Sequence, residues 1–339
     1  MTRPRVVTAL SGVLCSVLVA CGSSPSSTPA APSTPRDDSA FPVTITHKFG
    51  STTVPAPPQR VVTIGDEDIA FALGITPVGI VRNANAPSGT APWLEGHFDP
   101  VKTAFIDIPA GAEGEGAAGA NIEQVAALEP DLILAINDFG LELDYPALSQ
   151  IAPTVGYETV WGAQPWQEQV MIGARALGVE ERGRQVVAET ETAIRSTRDM
   201  NPGLAGRTVT FSYAFAPGQI VTLKSDQDYS VKLLKELGMR LPPSVEQLSD
   251  IAPGNPGGVL SFENISLLDA DILMMGYAND ELQRQVEDLE LFRNLRGVRE
   301  GRYIVIDLPT ATALRSPSVL SIRWGLEQLR PSLARVAGS

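Results

Sequence analysis

Hydrophobic positions along the chain fall into two kinds of run. Residues 60–65, 132–136 and 272–275 are apolar on both faces without polar alternation, which is typical of strands inside a parallel sheet. Between such runs, apolar residues recur at helical spacing, as in residues 179–199. This alternation of strand and helix patterns predicts an α/β fold with mostly parallel sheets.

One stretch occurs twice. Residues 121–135 read NIEQVAALEPDLILA, and residues 261–275 read SFENISLLDADILMM, so that Glu123 corresponds to Glu263. Each copy predicts a short helix, a break and a buried strand, and each begins with a good N-cap type, Asn in the first and Ser in the second. Two distant copies of one helix–strand unit predict two similar α/β lobes.

The lobes are joined by a predicted helix of about 20 residues, which would be about 30 Å long. The predicted organisation has five parts, namely a lipoprotein signal peptide (1–20), a lipidated cysteine with a disordered tether (21–40), an N-terminal α/β lobe (41–165), linking helices (166–201) and a C-terminal α/β lobe (202–339).

The first residues have the pattern of an export signal. Arg3 and Arg5 precede a short apolar run, residues 6–19, and the sequence LVAC of residues 18–21 resembles a bacterial lipobox. Cleavage before Cys21 would leave it as the lone cysteine, ready for lipid attachment. A plain secretory signal with an incidental cysteine is the alternative. We expect an extracytoplasmic protein held to the membrane by lipid.

Charge and motifs exclude several functions. The net charge of −13 argues against nucleic acid as a partner, because phosphate binding needs clustered Lys and Arg. There is no G-x-S-x-G elbow, P-loop, H-E-x-x-H or paired CxxC. The two histidines, His47 and His97, lack the spacing of a metal site. We therefore expect no enzyme, cofactor or resident metal, with an envelope-anchored α/β enzyme or a protein-binding adaptor as alternatives.

The order and spacing of several segments resemble the substrate-binding proteins of iron–siderophore, haem and cobalamin ABC importers. The segments that carry the resemblance are residues 18–21, 60–65, 70–74, 121–135, 176–178, Glu263 with 271–273, 298–302 and 316–318. The resemblance implies two lobes joined by one long helix, the class III architecture. It also implies that Glu123 and Glu263, one per lobe, dock on an ABC permease dimer. The implied ligand is a ferric siderophore, with haem as the alternative.

Ligands of open α/β sheets bind outside the carboxyl ends of the strands. With Trp93 added as an aromatic anchor, the candidate ligand-binding residues are Asp66, Glu67, Arg82, Trp93, Asn137, Asp138, Phe139, Trp161, Tyr213, Phe215 and Tyr277. The aromatic residues would stack on a catecholate or porphyrin, and Tyr213 or Tyr277 would ligate haem iron; ordinary packing is the alternative for each.

Some siderophore binders of this family hold anionic ligands with an arginine shortly before the residue equivalent to Glu123. This chain has GAAGA at residues 116–120 instead. That departure weakens the case for a strongly anionic ligand held in this way. It leaves Arg82 as the main basic candidate of the first lobe.

Overall fold

The computed structural model describes residues 37–84, 86–109, 120–252 and 255–338. The predicted signal peptide, Cys21 and most of the predicted tether lie outside these residues. Where the description begins, Asp38–Ala40 is a 3₁₀ helix, and the Asp37 N–H donates a hydrogen bond to the Gly178 carbonyl at 2.9 Å. The chain is therefore fixed to the folded body a few residues before the predicted boundary at residue 41.

In the described residues, the first lobe contains a hairpin, a five-stranded sheet and three α-helices. Their bounds are β1 (Val43–His47), β2 (Gly50–Val54), β3 (Val61–Thr63), α1 (Glu67–Ala72), β4 (Gly79–Val81), β5 (Ala104–Ile106), α2 (Ile122–Ala127), β6 (Leu132–Ala135), α3 (Leu141–Ile151) and β7 (Thr154–Gly156). The sheet order is β5-β4-β3-β6-β7, parallel throughout. Strands β3 and β6 are fully buried, as their apolar faces predicted.

Two helices follow, α4 (Trp166–Ala176) and α5 (Glu180–Met200). Helix α5 has 21 residues and leads from the first lobe to the second, as the sequence predicted. Its buried residues, including Val186, Thr190 and Ile194, recur every three or four positions, so they form one face.

The second lobe contains a six-stranded sheet. The bounds are β8 (Val209–Ala216), β9 (Gln219–Thr222), α6 (Tyr229–Glu236), α7 (Pro243–Glu246), β10 (Ser249–Ala252), β11 (Asn255–Ser261), β12 (Ile272–Tyr277), α8 (Asp280–Glu287), α9 (Glu290–Arg293), α10 (Arg296–Arg299), β13 (Tyr303–Ile306), α11 (Leu308–Arg315) and α12 (Val319–Ala337). The order is β10-β11-β9-β8-β12-β13, and β8, β12 and β13 are parallel. The other pairings are antiparallel, which the sequence did not predict. The two-residue turn between β8 and β9 allows only an antiparallel return.

The repeated stretch occupies the same place in both sheets. Strand β6 lies between β3 and β7, and β12 lies between β8 and β13. The Asn121 side chain caps α2 by accepting the Gln124 N–H, as predicted. Ser261 is the N-cap residue of the helix in the second copy, as predicted, but its side chain caps no backbone N–H of that helix. Ser261 ends β11, its hydroxyl accepts a hydrogen bond from Asn264 Nδ2, and a 3₁₀ helix, Phe262–Leu268, follows.

The two lobes pack together through the first turns of α1 and α12. Ser318, the N-cap of α12, donates a hydrogen bond to the Asp68 carboxylate on α1. Trp93 of the first lobe lies 5.8 Å from Trp324 on α12, measured between ring centroids. The described residues consequently form a single compact unit. None of the helices in that unit is long and apolar enough to cross a membrane.

Candidate functional site at the carboxyl edge of the first sheet

The loops that follow strands β3–β7 form the edge of the first sheet that we call the first-lobe edge. At its centre is Asp66, which is fully buried. Its carboxylate accepts hydrogen bonds from the Ile136 N–H and, at 2.8 Å, from Asn137 Nδ2. Asn137 Nδ2 also donates to Gln169 Oε1 at 3.0 Å. The ends of the two central strands and the start of α4 are thereby tied together.

Four acidic residues at this edge have raised pKa values, and burial is the main cause for each. The values are about 7 for Asp66, about 8 for Glu67, about 6 for Asp68 and about 7 for Asp138. The neighbouring Asp68 charge adds to the shift of Glu67. Desolvation disfavours the ionised form of a carboxyl group, so these groups take up protons near neutral pH.

Several buried polar atoms at the same edge lack a hydrogen-bond partner among the described residues. They are Thr63 Oγ1, Glu67 Oε2, Asp138 Oδ2 and Gln164 Nε2. In the second lobe the buried Tyr229 hydroxyl also lacks a hydrogen-bond partner among the described residues. Buried polar groups in folded proteins are nearly always hydrogen-bonded, so such a concentration indicates a place that meets a ligand or ordered water.

An exposed aromatic pair borders these atoms. Phe139 and Trp161 are 42% and 45% exposed, and their rings meet edge to face with centroids 4.9 Å apart. The Trp161 indole N–H donates to the Asn137 carbonyl at 3.0 Å, which fixes the ring beside the Asp66 network. The pair forms a rigid apolar surface suited to stacking.

Arg82 is engaged by neighbours. Its Nε donates to Asp107 Oδ1 at 2.8 Å, and its guanidinium lies 4.0 Å from the centroid of the Phe105 ring. Gln124 also donates to Asp107, and both bonds lower the pKa of the Asp107 carboxyl, with Arg82 as the larger cause. The positive charge of Arg82 is therefore already balanced.

Trp93 belongs to the contact between the lobes. Its indole N–H donates to Asp68 Oδ1 at 3.1 Å, and its ring faces Trp324. The residue is partly buried there, so it is less open than the pair formed by Phe139 and Trp161.

The candidate tyrosines of the second lobe have occupied hydroxyls. Tyr213 is 5% exposed and donates to the Tyr277 carbonyl at 2.9 Å. The Tyr277 hydroxyl bonds to the Tyr303 hydroxyl at 2.6 Å, and Tyr303 donates to Glu287 on α8. Burial raises the pKa of both candidates.

Ligation of haem iron by Tyr213 or Tyr277 would therefore require the hydroxyl to lose its proton and to give up its present hydrogen bond. Tyr303 begins β13, so the Tyr277 side chain runs back towards the amino end of the sheet, away from the carboxyl edge. Phe215, by contrast, is 50% exposed at the irregularity of the β8–β9 pairing between Ala214 and Ala216, with its ring centroid 4.4 Å from that of Tyr213.

Sequence reasoning missed several residues of this region. Gln164 and Gln169 link the α4 segment to the first-lobe edge, since Gln164 Oε1 accepts the Glu158 N–H and Gln169 Nε2 donates to the Gln164 carbonyl. No motif marks them. Asp68 belongs to the acidic triplet 66–68, of which the sequence analysis selected only Asp66 and Glu67 as candidates.

The chain matches the family described as periplasmic binding proteins over residues 68–310. It belongs to that family. Membership confirms the predicted resemblance, the two-lobed α/β fold class and the non-enzymatic role, and it places the protein among extracytoplasmic binding proteins.

Three relatives give the range of the similarity. A Bacillus subtilis protein named as an ABC transporter substrate-binding lipoprotein, YhfQ, is 24% identical over 286 residues, covering 81% of this chain and 84% of the relative. The achromobactin-binding periplasmic protein of Dickeya dadantii is 26% identical over 301 residues, covering 83% and 87%. The crystal structure of the iron uptake ABC transporter substrate-binding protein PiaA from Streptococcus pneumoniae is 26% identical, with a TM-score of 0.69 over 87% of this chain and 99% of that one.

Proposed function

We propose that the protein is the substrate-binding component of an ABC importer, and that it captures a ferric siderophore between its lobes and delivers it to the permease. The observation that carries the ligand site is the first-lobe edge, where unpartnered buried polar atoms lie beside the exposed Phe139–Trp161 pair. Relatives named for achromobactin binding and for iron uptake support the ligand type.

The first-lobe edge combines two surfaces that a ferric siderophore requires. The aromatic pair offers an apolar face to the organic scaffold, and the unpartnered atoms offer hydrogen bonds to its polar groups. Iron is cargo here, since the siderophore itself supplies the iron ligands. The occupied hydroxyls of Tyr213 and Tyr277 give haem no comparable support.

Partner docking and membrane attachment complete the proposal. Glu123 and Glu263 are exposed, lie in the first turns of corresponding helices, and suit a permease dimer with matching basic sockets. Lipid on Cys21 would hold the protein at the membrane near that permease.

The test is a tryptophan-fluorescence titration of the purified protein with ferric siderophores of several chemical types and with haemin. Saturable quenching by a siderophore is expected, and it should be largely lost in Trp161→Phe and kept in the control Trp324→Phe. Both variants keep an aromatic ring, so the comparison reports which indole lies near the ligand. Quenching by haemin alone would replace the siderophore with haem, and no quenching by any of them would refute the proposal.

A further inference from the structure

We propose that the site selects ferric siderophores that carry no net negative charge, such as the hydroxamate type, over polyanionic ferric catecholates. This rests on the proposed function and names its ligand class. Each hydroxamate is a monoanion, so three of them neutralise ferric iron. Each catecholate is a dianion, so the corresponding complex stays strongly negative.

The first argument is the cluster of acidic residues at the first-lobe edge. Asp66, Glu67, Asp68 and Asp138 lie together there, and in the described residues none of them forms an ion pair with a Lys or Arg. Asp66 is satisfied by an N–H and an amide, Asp68 by an indole and a hydroxyl, and Asp138 by one N–H. Whether these carboxyl groups are protonated or ionised, a polyanion bound here would find no unpaired Lys or Arg in the described residues of this edge to offset its own charge, which is costly at low dielectric.

The second argument concerns the cations at that edge. Arg82 directly follows β4 and Lys48 lies in the adjoining hairpin, and both are already paired, Arg82 with Asp107 and Lys48 with Glu142. The Phe105 ring covers one face of the Arg82 guanidinium. To bind an anion, either cation would first have to leave its carboxylate.

In the second lobe, Arg315 is exposed and lines a small cavity whose lining also includes Asp228 and Tyr213. Lys224 is mostly buried, pairs with Asp250 and donates to the Leu248 carbonyl.

An uncharged complex suits the aromatic and hydrogen-bonding groups that remain available at the first-lobe edge. Its apolar scaffold meets the Phe139–Trp161 pair, and its carbonyl oxygens accept hydrogen bonds from Gln164 Nε2, which is buried without a partner among the described residues. A protonated Glu67 carboxyl is a second donor of this kind. Neither contact requires charge on the ligand.

The experiment compares dissociation constants for ferrichrome, an uncharged ferric hydroxamate, and for ferric enterobactin, a polyanionic ferric catecholate, at low salt. Ferrichrome should bind at least about tenfold more tightly than ferric enterobactin. Added salt should reduce the difference between the two dissociation constants, because it screens the electrostatic repulsion of the catecholate complex.

Asp107→Asn is the diagnostic variant, because it releases Arg82 without disturbing a buried group. It should strengthen catecholate binding about three- to tenfold and leave ferrichrome binding unchanged. The matched control is Asp99→Asn, which removes the partner of Lys102 at the opposite end of the same strand, β5, and should change neither constant.

The outcomes separate the two proposals. A catecholate that binds as tightly as ferrichrome, or an Asp107→Asn effect no larger than that of Asp99→Asn, would overturn the ligand class and leave siderophore capture standing. Binding of neither complex would overturn the ligand class, and the titration with siderophores of other chemical types would then decide siderophore capture.

Discussion

The hydroxyl of Ser318 donates a hydrogen bond to the carboxylate of Asp68, although 250 residues separate them in the chain. The bond joins the N-terminus of α12 to the first turn of α1, and the Asp68 carboxylate also receives the Trp93 indole N–H. The same hydroxyl accepts the Ser321 N–H within a capping box. One serine thus starts the last helix and attaches it to the first lobe.

Ser318→Ala should lower the free energy of unfolding by more than the loss of a helix cap alone. A cap contributes about 1 kcal/mol, and a hydrogen bond to a charged partner contributes about 1.5–3 kcal/mol. Chemical denaturation monitored by fluorescence measures the total. The matched control is Asn279→Ala, which removes the N-cap of α8. Its side chain accepts the Leu282 N–H, and among the described residues it forms no hydrogen bond to the first lobe. Equal losses in the two variants would refute a contribution from the Asp68 bond.

Glu67→Gln should become increasingly stabilising as the pH rises. Burial raises the pKa of Glu67 from 4.5 to about 8, so the folded state holds this proton more tightly than the unfolded chain does. The associated stability is complete below pH 4.5 and is lost as the pH rises towards 8, at up to about 1.4 kcal/mol per pH unit. The neutral amide cannot lose that proton.

Urea unfolding of the wild type and Glu67→Gln at pH 5, 7 and 9 measures this effect. The stability difference should grow with pH to a few kcal/mol in favour of the variant. Glu123→Gln is the control, since it removes an exposed carboxyl from the first turn of another short helix. A difference that stays constant with pH, or that grows equally in the control, would contradict the prediction.

The sequence was a good guide wherever apolar pattern alone decides the structure. Strands β3, β6 and β12 were predicted because their residues are buried on both faces. Helix α3 was missed because its sequence contains Pro146, and proline is typical of helix breaks. The structure nevertheless places Pro146 inside the helix. Strand β11 was missed because Pro and Gly stand near its start, and both residues are rare inside strands.

The candidate site was predictable in position but not in contacts. The carboxyl-end rule selected Asp66 and Asn137, which the structure joins by a hydrogen bond. The rule names an edge and says nothing of side-chain direction, so it also selected Tyr277, whose hydroxyl runs back along the sheet. It could not show that Arg82 is paired, because Asp107 lies 25 residues later, at the end of the neighbouring strand.

Charge reversal of Glu123 and Glu263 to arginine should block uptake and spare ligand binding. Both side chains are exposed, and no bond to them occurs in the described part of the chain, so their removal leaves the fold intact. Like charges facing the basic sockets of a permease would repel. Siderophore uptake by cells and ligand affinity of the purified variant are measured in parallel. The control is the double reversal of Glu95 and Glu290, which are also exposed. Normal uptake with lost affinity would rule out docking.

Cys21→Ser should release the protein from the membrane into the soluble fraction. A serine hydroxyl cannot take the thioether-linked lipid, and none of the described helices can span a membrane. Fractionation of cells after labelling with radioactive palmitate measures both attachment and location. The control is Cys15→Ser, which changes the cysteine within the predicted signal peptide. Continued membrane association of unlabelled Cys21→Ser would show that another part of the protein holds it there.

Phe139→Ala and Trp161→Ala should each weaken siderophore binding by about tenfold or more, because each removes half of the exposed aromatic pair. Trp161→Ala should have the larger effect, since the Trp161 indole N–H also bonds to the Asn137 carbonyl next to the Asp66 network. Isothermal titration calorimetry measures the constants without relying on the deleted fluorophore. The control is Leu143→Ala, which removes a side chain that is 62% exposed on the adjacent α3. Unchanged constants in both aromatic variants would move the ligand away from this edge.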